Sequence, residues 1–111
     1  MADRAFPGEL EHLVLAAALQ QRGEGYGASL IRLIEERTGR TVQAGSIYLA
    51  LDRLEEKGLV RSRLDDPDPV RGGRPKRFVR VTAAGVRALA DHREALLRIW
   101  DGIESALEGS R

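Results

Sequence analysis

The residues best suited to bind an anion lie together in the sequence RGGRPKRF, residues 71–78. Arginine suits phosphate because its planar guanidinium group donates two parallel hydrogen bonds and stays charged at physiological pH. Glycine lets the backbone approach a ligand closely, and Pro75 stiffens the end of the loop. We therefore expect an exposed loop that contacts phosphate. Its expected contact residues are Arg71, Gly73, Arg74, Pro75, Lys76 and Arg77.

The positive charge of the chain is concentrated around this loop. The net charge is only +1, yet residues 61–80 contain seven basic and three acidic side chains, while the segments on either side are slightly acidic. A basic patch on a nearly neutral protein is typical of a chain that docks a polyanion with one face. A solvated loop with incidental arginines is the alternative that charge alone leaves open.

Other kinds of chemistry find little support in the residue types. The absence of cysteine excludes disulfides, thiolate metal sites and a cysteine nucleophile. His12 and His92 are far apart in sequence, and no phosphate loop, metal-ligand cluster or nucleophile with a spaced partner is present. We therefore expect no enzymatic activity, no cofactor and no metal. The lack of an apolar leader or a long apolar run predicts a cytoplasmic location without membrane contact.

A single folded domain must hold the loop, because 111 residues with 42% hydrophobic and 32% charged side chains form one ordinary globular unit. The segments GELEHLVLAAALQQRG and GYGASLIRLIEERTG predict two helices that end near Gly23 and Gly39. The runs at residues 59–64 and 76–82, LVRSRL and KRFVRVT, predict a β-hairpin. The basic loop then lies at or near the hairpin tip.

Between these elements, AGSIYLALDRLEEKG predicts a third helix with two different faces. At 100° per residue, Ile47, Leu51 and Leu54 form its buried stripe. Small, polar and aromatic residues occupy the other faces of its first half, and acidic residues are confined to its second half. A helix that enters the major groove of DNA is expected to have this arrangement. The residues expected to face DNA are Gly45, Ser46, Tyr48, Leu49 and Arg53.

The chain after Thr82 predicts one long helix that runs to about Glu108. Its apolar residues alternate three and four apart with one polar interruption, which is typical of a packed helix pair. One long core helix is the alternative. The first helix is apolar on all sides over residues 13–19, which also favours a partner chain as its cover. The residues expected in a dimer interface are Leu13, Ala17, Leu89, Arg93, Leu96, Trp100, Ile103 and Leu107.

Together these elements predict a mainly α fold with a small β-hairpin, an α+β class. Residues 8–82 are expected to form a winged helix-turn-helix DNA-binding domain, and residues 83–108 a C-terminal dimerisation helix. The segment GSIYLALDRLEEKGLVRSR followed by GGRPKRFVRVTAAG resembles the PadR family of transcriptional regulators. That family has a Gly-Ser/Thr-x-Tyr recognition helix, an Arg-Leu-Glu-x-x-Gly-Leu junction and a Gly-Gly-Arg-Pro wing in this order. The resemblance extends from about Gly8 to Leu107.

The resemblance implies a homodimeric repressor of the short subgroup, which binds double-stranded DNA and has one C-terminal dimerisation helix. Leu49 departs from the family pattern, which often has proline at that position. A small aromatic or drug-like effector is a further partner that the resemblance permits, with Trp100 as its contact, whereas Trp100 as plain interface core is the alternative. The family positions carried over to this chain are Gly45, Ser46 and Tyr48 at the start of the recognition helix and Gly73, Arg74 and Pro75 in the wing.

Two hypotheses follow for the function. In the first, a homodimer reads an imperfect palindrome with two recognition helices while the wing cations contact phosphates. In the second, the winged helix is a protein-interaction module without DNA binding. The cluster of wing cations favours DNA. Sixteen arginines against two lysines indicate a high-GC bacterial source.

Overall fold

The computed structural model describes residues 7–65 and 75–110. It contains five helices and two strands within these residues. In chain order they are α1 (Glu9–Gln20), α2 (Gly27–Thr38), α3 (Ala44–Glu56), β1 (Val60–Leu64), β2 (Arg77–Val81), α4 (Ala83–Trp100) and α5 (Glu104–Glu108).

The first helix, α1, lies at the centre of the core. Val14, Leu15 and Ala18 are completely buried, and α2, α3, α4 and β2 all pack against this helix. The chain therefore covers most of the apolar surface of α1 by itself. Ala17 is only 4% exposed and is not available to a partner, which corrects its assignment to the dimer interface. Leu13 packs against the same core and borders a cleft beside the loop between α2 and α3.

Left-handed glycines end α2 and the turn after α3, as the sequence predicts. Gly39 follows α2 with φ 73°, and its amide donates to the Glu35 carbonyl. Gly58 follows α3 with φ 74°. Both backbone conformations are strained for residues that carry a Cβ, so each glycine sets the point at which its helix stops.

The hairpin is antiparallel, with Val60 opposite Val81 and Leu64 opposite Arg77. The face that carries Val60 and Val79 is buried against the helices, and the opposite face is turned to solvent. Gly25, between α1 and α2, adds a short bridge to β2, because the Val79 amide donates to the Gly25 carbonyl at 2.9 Å. Three helices followed by this hairpin form the winged helix-turn-helix arrangement that the sequence predicts.

The junction between the hairpin and α4 is tightly packed. The Thr82 hydroxyl accepts from the Gly85 amide at 3.1 Å and donates to the Gly58 carbonyl at 2.7 Å. A Cβ on Gly85 would lie 2.2 Å from the Leu59 carbonyl oxygen, so only glycine allows α4 to start this close to β1. The start of α4 is thus fixed to the domain.

The expectation of one helix to Glu108 was wrong. The first segment, α4, ends at Trp100, and Gly102 with φ 97° separates it from the short α5. A glycine in a helix interior costs about 1 kcal/mol relative to alanine, and the Glu104 carboxylate stabilises the break by accepting from the Gly102 amide at 2.9 Å.

The molecule is more extended than a compact domain of its length. Its radius of gyration is 16.1 Å, whereas a compact chain of this length has a radius of about 13 Å. The excess arises because α5 and the second half of α4 extend beyond the core, where most side chains are exposed. Within residues 7–65 and 75–110, no helix has both the length and the hydropathy needed to cross a membrane.

Candidate nucleic-acid interface

The first half of α3 presents its non-core faces to solvent. Ile47, Leu51 and Leu54 are completely buried, which confirms the buried stripe that the sequence predicts. Tyr48 is 46% exposed and Leu49 is 57% exposed. All the residues of α3 predicted to face DNA are exposed, namely Gly45, Ser46, Tyr48, Leu49 and Arg53.

The Tyr48 ring is positioned by the start of α2. A Cβ on Gly27 would lie 2.6 Å from the Tyr48 hydroxyl oxygen, so the missing side chain makes room for the ring. Ser29 fixes the same helix start, because its hydroxyl accepts from the Tyr26 amide at 2.9 Å and donates to Gln21 Oε1 at 2.7 Å. The starts of α2 and α3 therefore form one connected surface.

The hairpin adds cationic and aromatic groups to this surface. Lys76 Nζ lies 4.3 Å from the centre of the Tyr26 ring, which is within the range of a cation–π contact. Tyr26 also contacts Phe78 edge to face, with 5.7 Å between the ring centres. Pro75 is exposed at the end of the loop. The remaining wing residues of the sequence prediction, Arg71, Gly73 and Arg74, lie outside the described residues.

Arg77 has a different environment from the one expected for a phosphate contact. Its Nη1 and Nη2 atoms donate to Asp52 at 2.9 Å and Glu55 at 2.8 Å, and its Nε donates to the Ser62 hydroxyl at 2.9 Å. Alternation along β2 places Arg77 on the face of the hairpin that is turned towards α3. The guanidinium group therefore connects the hairpin to the acidic second half of α3.

These contacts shift the pKa values of both Glu55 and Arg77. The pKa of Glu55 is lowered because the Ser62 hydroxyl and then the Arg77 guanidinium donate hydrogen bonds to its charged form. Burial acts to lower the pKa of Arg77, but its hydrogen bonds to Glu55 and Asp52 and the charges of these two carboxylates outweigh that effect and raise it. Both groups remain charged at neutral pH.

An uncovered apolar groove of about 510 Å³ runs between α1 and α4. Val86, Leu97 and Trp100 on α4 are 44%, 46% and 45% exposed, and Leu19 on α1 is 42% exposed. The predicted seam residues Leu89, Arg93, Leu96 and Trp100 line this groove, together with His12, Ala16, Leu19, Val86, Ala90 and Leu97.

The rest of the predicted seam lies beyond the break after α4. Ile103 and Leu107 are 44% and 46% exposed there. Sequence reasoning missed Leu97 because it lies outside the three-and-four alternation, although it follows Arg93 by one helical turn. On α1 the groove is lined by His12, Ala16 and Leu19, and not by the predicted Ala17.

A histidine pair joins α1 to α4 beside this groove. The Nδ1 atoms of His12 and His92 are 2.8 Å apart, and the rings meet edge to face. The pKa of His12 is lowered, first by burial and then by the charge of His92. Their separation of 80 positions in sequence gave no signal of this contact.

Comparison with known proteins places these features in a family. The model of the transcriptional regulator PadR-like family matches residues 14–91. The crystal structure of a PadR family transcriptional regulator from Eggerthella lenta DSM 2243 is 28% identical, with a TM-score of 0.70 over 90% of this chain and 87% of that chain. No curated protein matches the sequence.

Two further solved structures are similar. A putative transcriptional regulator from Thermoplasma acidophilum is 28% identical, with a TM-score of 0.70 over 89% of this chain and 91% of that one. A PadR family transcription regulator from Clostridium difficile R20291 is 23% identical and shows the shared fold, with a TM-score of 0.73 over 90% and 99% of the two chains. Because the family model covers most of the sequence, including α3, the hairpin and the start of α4, this chain belongs to the PadR-like family of transcriptional regulators.

Proposed function

We propose that this PadR-like regulator binds double-stranded DNA as a homodimer and represses transcription from a palindromic operator. The observation that carries the proposal is that α3 and the hairpin meet at the start of α2. Tyr48 lies against Gly27, and Lys76 lies over Tyr26. One surface thus offers side chains for contacts with base edges beside side chains for contacts with phosphates. Sequence-specific binding needs both, because base contacts select the sequence and phosphate contacts position the protein.

In this proposal the first half of α3 enters the major groove. Apart from Leu49, its exposed side chains are short, polar or aromatic. The carboxylates of Asp52 and Glu55 lie farther along the helix, where Arg77 neutralises part of their charge. Base contacts from the start of a recognition helix choose the sequence. The residues assigned to this role are Gly45, Ser46, Tyr48 and Leu49 in the first half of α3, and Arg53 one turn farther along.

The wing supplies contacts that position the dimer on DNA. Cations near the hairpin tip contact phosphates or the adjoining minor groove, and their contribution is independent of sequence. Arg77 is assigned a positioning role instead, because its donors are engaged with α3 and Ser62. The residues assigned to the backbone contacts are Arg71, Gly73, Arg74, Pro75 and Lys76.

A two-fold dimer explains the uncovered apolar groove. A symmetric interface brings the same patch of both subunits together, and the groove residues are too exposed and too apolar to be left in water at no cost. Two recognition helices related in this way read half-sites about 10 base pairs apart. The proposed interface residues are Leu89, Arg93, Leu96, Leu97, Trp100, Ile103 and Leu107.

The same groove suggests how the regulator is released. Trp100 is 45% exposed at the end of this groove, so across a two-fold dimer two indoles can lie close together and form the walls of a flat apolar site. We assign it to a planar aromatic effector that stacks on the indole. Quenching of Trp100 fluorescence by such a compound, with weaker DNA binding in its presence, is the expected result. If no planar compound quenches the indole, Trp100 is interface core only.

The proposed function places the protein in the cytoplasm of a bacterial cell, where it meets chromosomal DNA. Its DNA binding is tested with the purified protein and a random-sequence duplex at several salt concentrations. If roughly six to eight phosphates are neutralised per dimer, the logarithm of affinity falls against the logarithm of salt with a slope of about −5 to −7. Arg74→Gln should weaken binding to every duplex. No binding even in dilute buffer would refute the proposal and leave a protein-interaction module.

A further inference from the structure

The outer face of the hairpin carries a second cluster of arginines, separate from the tip. Arg61, Arg63 and Arg80 surround a cleft of about 200 Å³ that is floored by Phe78. All three arginines are exposed. Among the described residues, the only carboxylate paired with any of them is Glu24, which is 3.7 Å from Arg63 and is itself 76% exposed. The cluster therefore keeps an excess of positive charge.

The strand register makes this cluster unfavourable for folding alone. Arg61 lies directly opposite Arg80 in the antiparallel ladder, and like charges at directly opposed positions destabilise a hairpin. Arg80 also lies close to the turn after α1, because a Cβ on Gly23 would be 3.6 Å from its Nε atom. An anion bound between the two strands would relieve the repulsion.

A chain of contacts joins the cluster to the start of α3. Arg63 lies 4.4 Å from the centre of the Phe78 ring. Phe78 contacts Tyr26, Tyr26 directly precedes Gly27, and Gly27 makes room for the Tyr48 ring. The outer face is thus continuous with the surface proposed to bind DNA.

The spacing of the arginines suits a polyphosphate strand. Residues two apart on a strand lie about 6.6 Å from each other on the same face, so Arg61 and Arg63 repeat at a distance comparable to that between successive phosphates on one DNA strand. Arginine binds phosphate oxygens in bidentate fashion. The Phe78 ring, with Arg63 stacked on it, holds the site in its binding conformation before a ligand binds.

We propose that Arg61, Arg63 and Arg80 form a second phosphate-binding surface, which holds the DNA backbone that flanks the half-site read by α3. This inference rests on the proposed DNA binding. It assigns the sides of the wing, in addition to its tip, to the DNA contact. It also lengthens the footprint of each subunit beyond the bases that the recognition helix reaches.

The test compares the parent protein with the double variant Arg61→Gln/Arg80→Gln on two duplexes. One duplex contains the two half-sites only, and the other adds about ten base pairs of random sequence on each side. The parent is expected to bind the longer duplex at least about tenfold more tightly, and its salt slope should be steeper by about 2 for each subunit that engages a flank. The double variant should lose this gain and bind the short duplex as the parent does.

Two further variants serve as controls. Arg61→Lys/Arg80→Lys keeps the charge and should retain most of the gain. Arg37→Gln/Arg87→Gln removes the same charge from exposed positions on α2 and α4 and should behave as the parent. In the absence of DNA, the thermal midpoint of Arg61→Gln/Arg80→Gln should be no lower than that of the parent, because the opposed charges are gone.

The outcomes separate this inference from the proposed function. If the parent binds neither duplex, the proposed function fails and this inference fails with it. If the parent gains from the flanks and Arg61→Gln/Arg80→Gln gains equally, only the second surface is refuted. If Arg37→Gln/Arg87→Gln loses the affinity gained from the flanks to the same extent, the effect of the cluster comes from net charge alone. If Arg61→Gln/Arg80→Gln has a lower thermal midpoint than the parent, the cluster has a structural role.

Discussion

Individual side chains in this protein divide into those that the fold explains and those that it does not. Tyr48 needs Gly27 beneath it, and Gly85 is required by the Leu59 carbonyl oxygen. Gly45 is different, because a Cβ there would meet no atom within 4 Å. A glycine within a helix weakens it, so the reason for Gly45 is expected to lie in a ligand that approaches α3 closely.

Replacement of Gly45 by alanine tests this reasoning. The Gly45→Ala protein should be more stable than the parent by up to about 1 kcal/mol, because alanine favours the helix and meets no neighbour. Its affinity for operator DNA should nevertheless fall. Urea unfolding and DNA titration measure the two effects, and Gly85→Ala, which should lose about 1–3 kcal/mol through overpacking, is the matched control. Unchanged operator affinity in Gly45→Ala would remove Gly45 from the interface.

Arg77 shows why residue type alone did not reveal its role. It lies in the basic segment, yet strand alternation turns it towards Asp52 and Glu55. The Arg77→Gln variant should lose about 1–2 kcal/mol of stability, because it removes charge-assisted hydrogen bonds from a partly buried position. Its salt slope for DNA should stay that of the parent. A shallower slope with full stability would identify Arg77 as a phosphate contact instead.

At the scale of the elements, the sequence predicted the folded domain better than its C-terminal extension. Helical periodicity and the glycines at 39 and 58 set the bounds of α2 and α3, because these signals are local. The break at Gly102 was missed because the apolar spacing continues across it through Ile103 and Leu107. The cover of α1 was also missed, since it is supplied jointly by α2, which follows directly, and by α3, β2 and α4, which are distant in sequence.

The apolar groove between α1 and α4 allows a prediction about assembly. Leu97 is 46% exposed and lines the groove, whereas Ile99 is 74% exposed and does not. The Leu97→Asp variant should weaken the proposed dimer by at least about 30-fold, since a buried charge at an interface centre costs about 2 kcal/mol or more. Sedimentation at micromolar concentration measures this. Ile99→Asp should sediment as the parent does, and equal behaviour of the two variants would place the interface elsewhere.

The contact between α1 and α4 should also depend on pH. Burial and the nearby charge of His92 lower the pKa of His12 from its ordinary value of 6.5. The unfolded chain then takes up the proton more readily, so stability is unaffected above pH 6.5 and falls as the pH drops below it, until the folded-state pKa is passed. Glu11, Asp91 and Arg93 are the charged neighbours of the pair along the two helices.

Thermal unfolding of the parent and of His12→Gln between about pH 7.5 and 5.5 checks this prediction. The loss of stability on acidification should be smaller in His12→Gln. His92→Gln removes the other half of the contact and should show a similarly reduced loss. The same loss in all three proteins would show that the histidine pair does not titrate in this way.

At the scale of the whole molecule, the cationic surface proposed to bind DNA and the apolar groove proposed as the dimer interface lie in different places. Lys76 of the hairpin and the exposed start of α3 lie on one surface, while the apolar groove lies between α1 and α4. The sequence predicted this separation from the excess of basic residues at 61–80 and from the apolar spacing of the last helix. It could not predict the outer arginine cluster, which depends on the register of two strands.

Selection of DNA from a random pool by the purified protein, followed by footprinting of the selected duplex, tests the central claim most directly. Two copies of the chain that present their α3 helices to one side of a duplex should select two inverted half-sites with centres about 10 base pairs apart. The footprint should cover both half-sites and their flanks. Selection of a single unrepeated site, or no enrichment at low salt, would contradict the account.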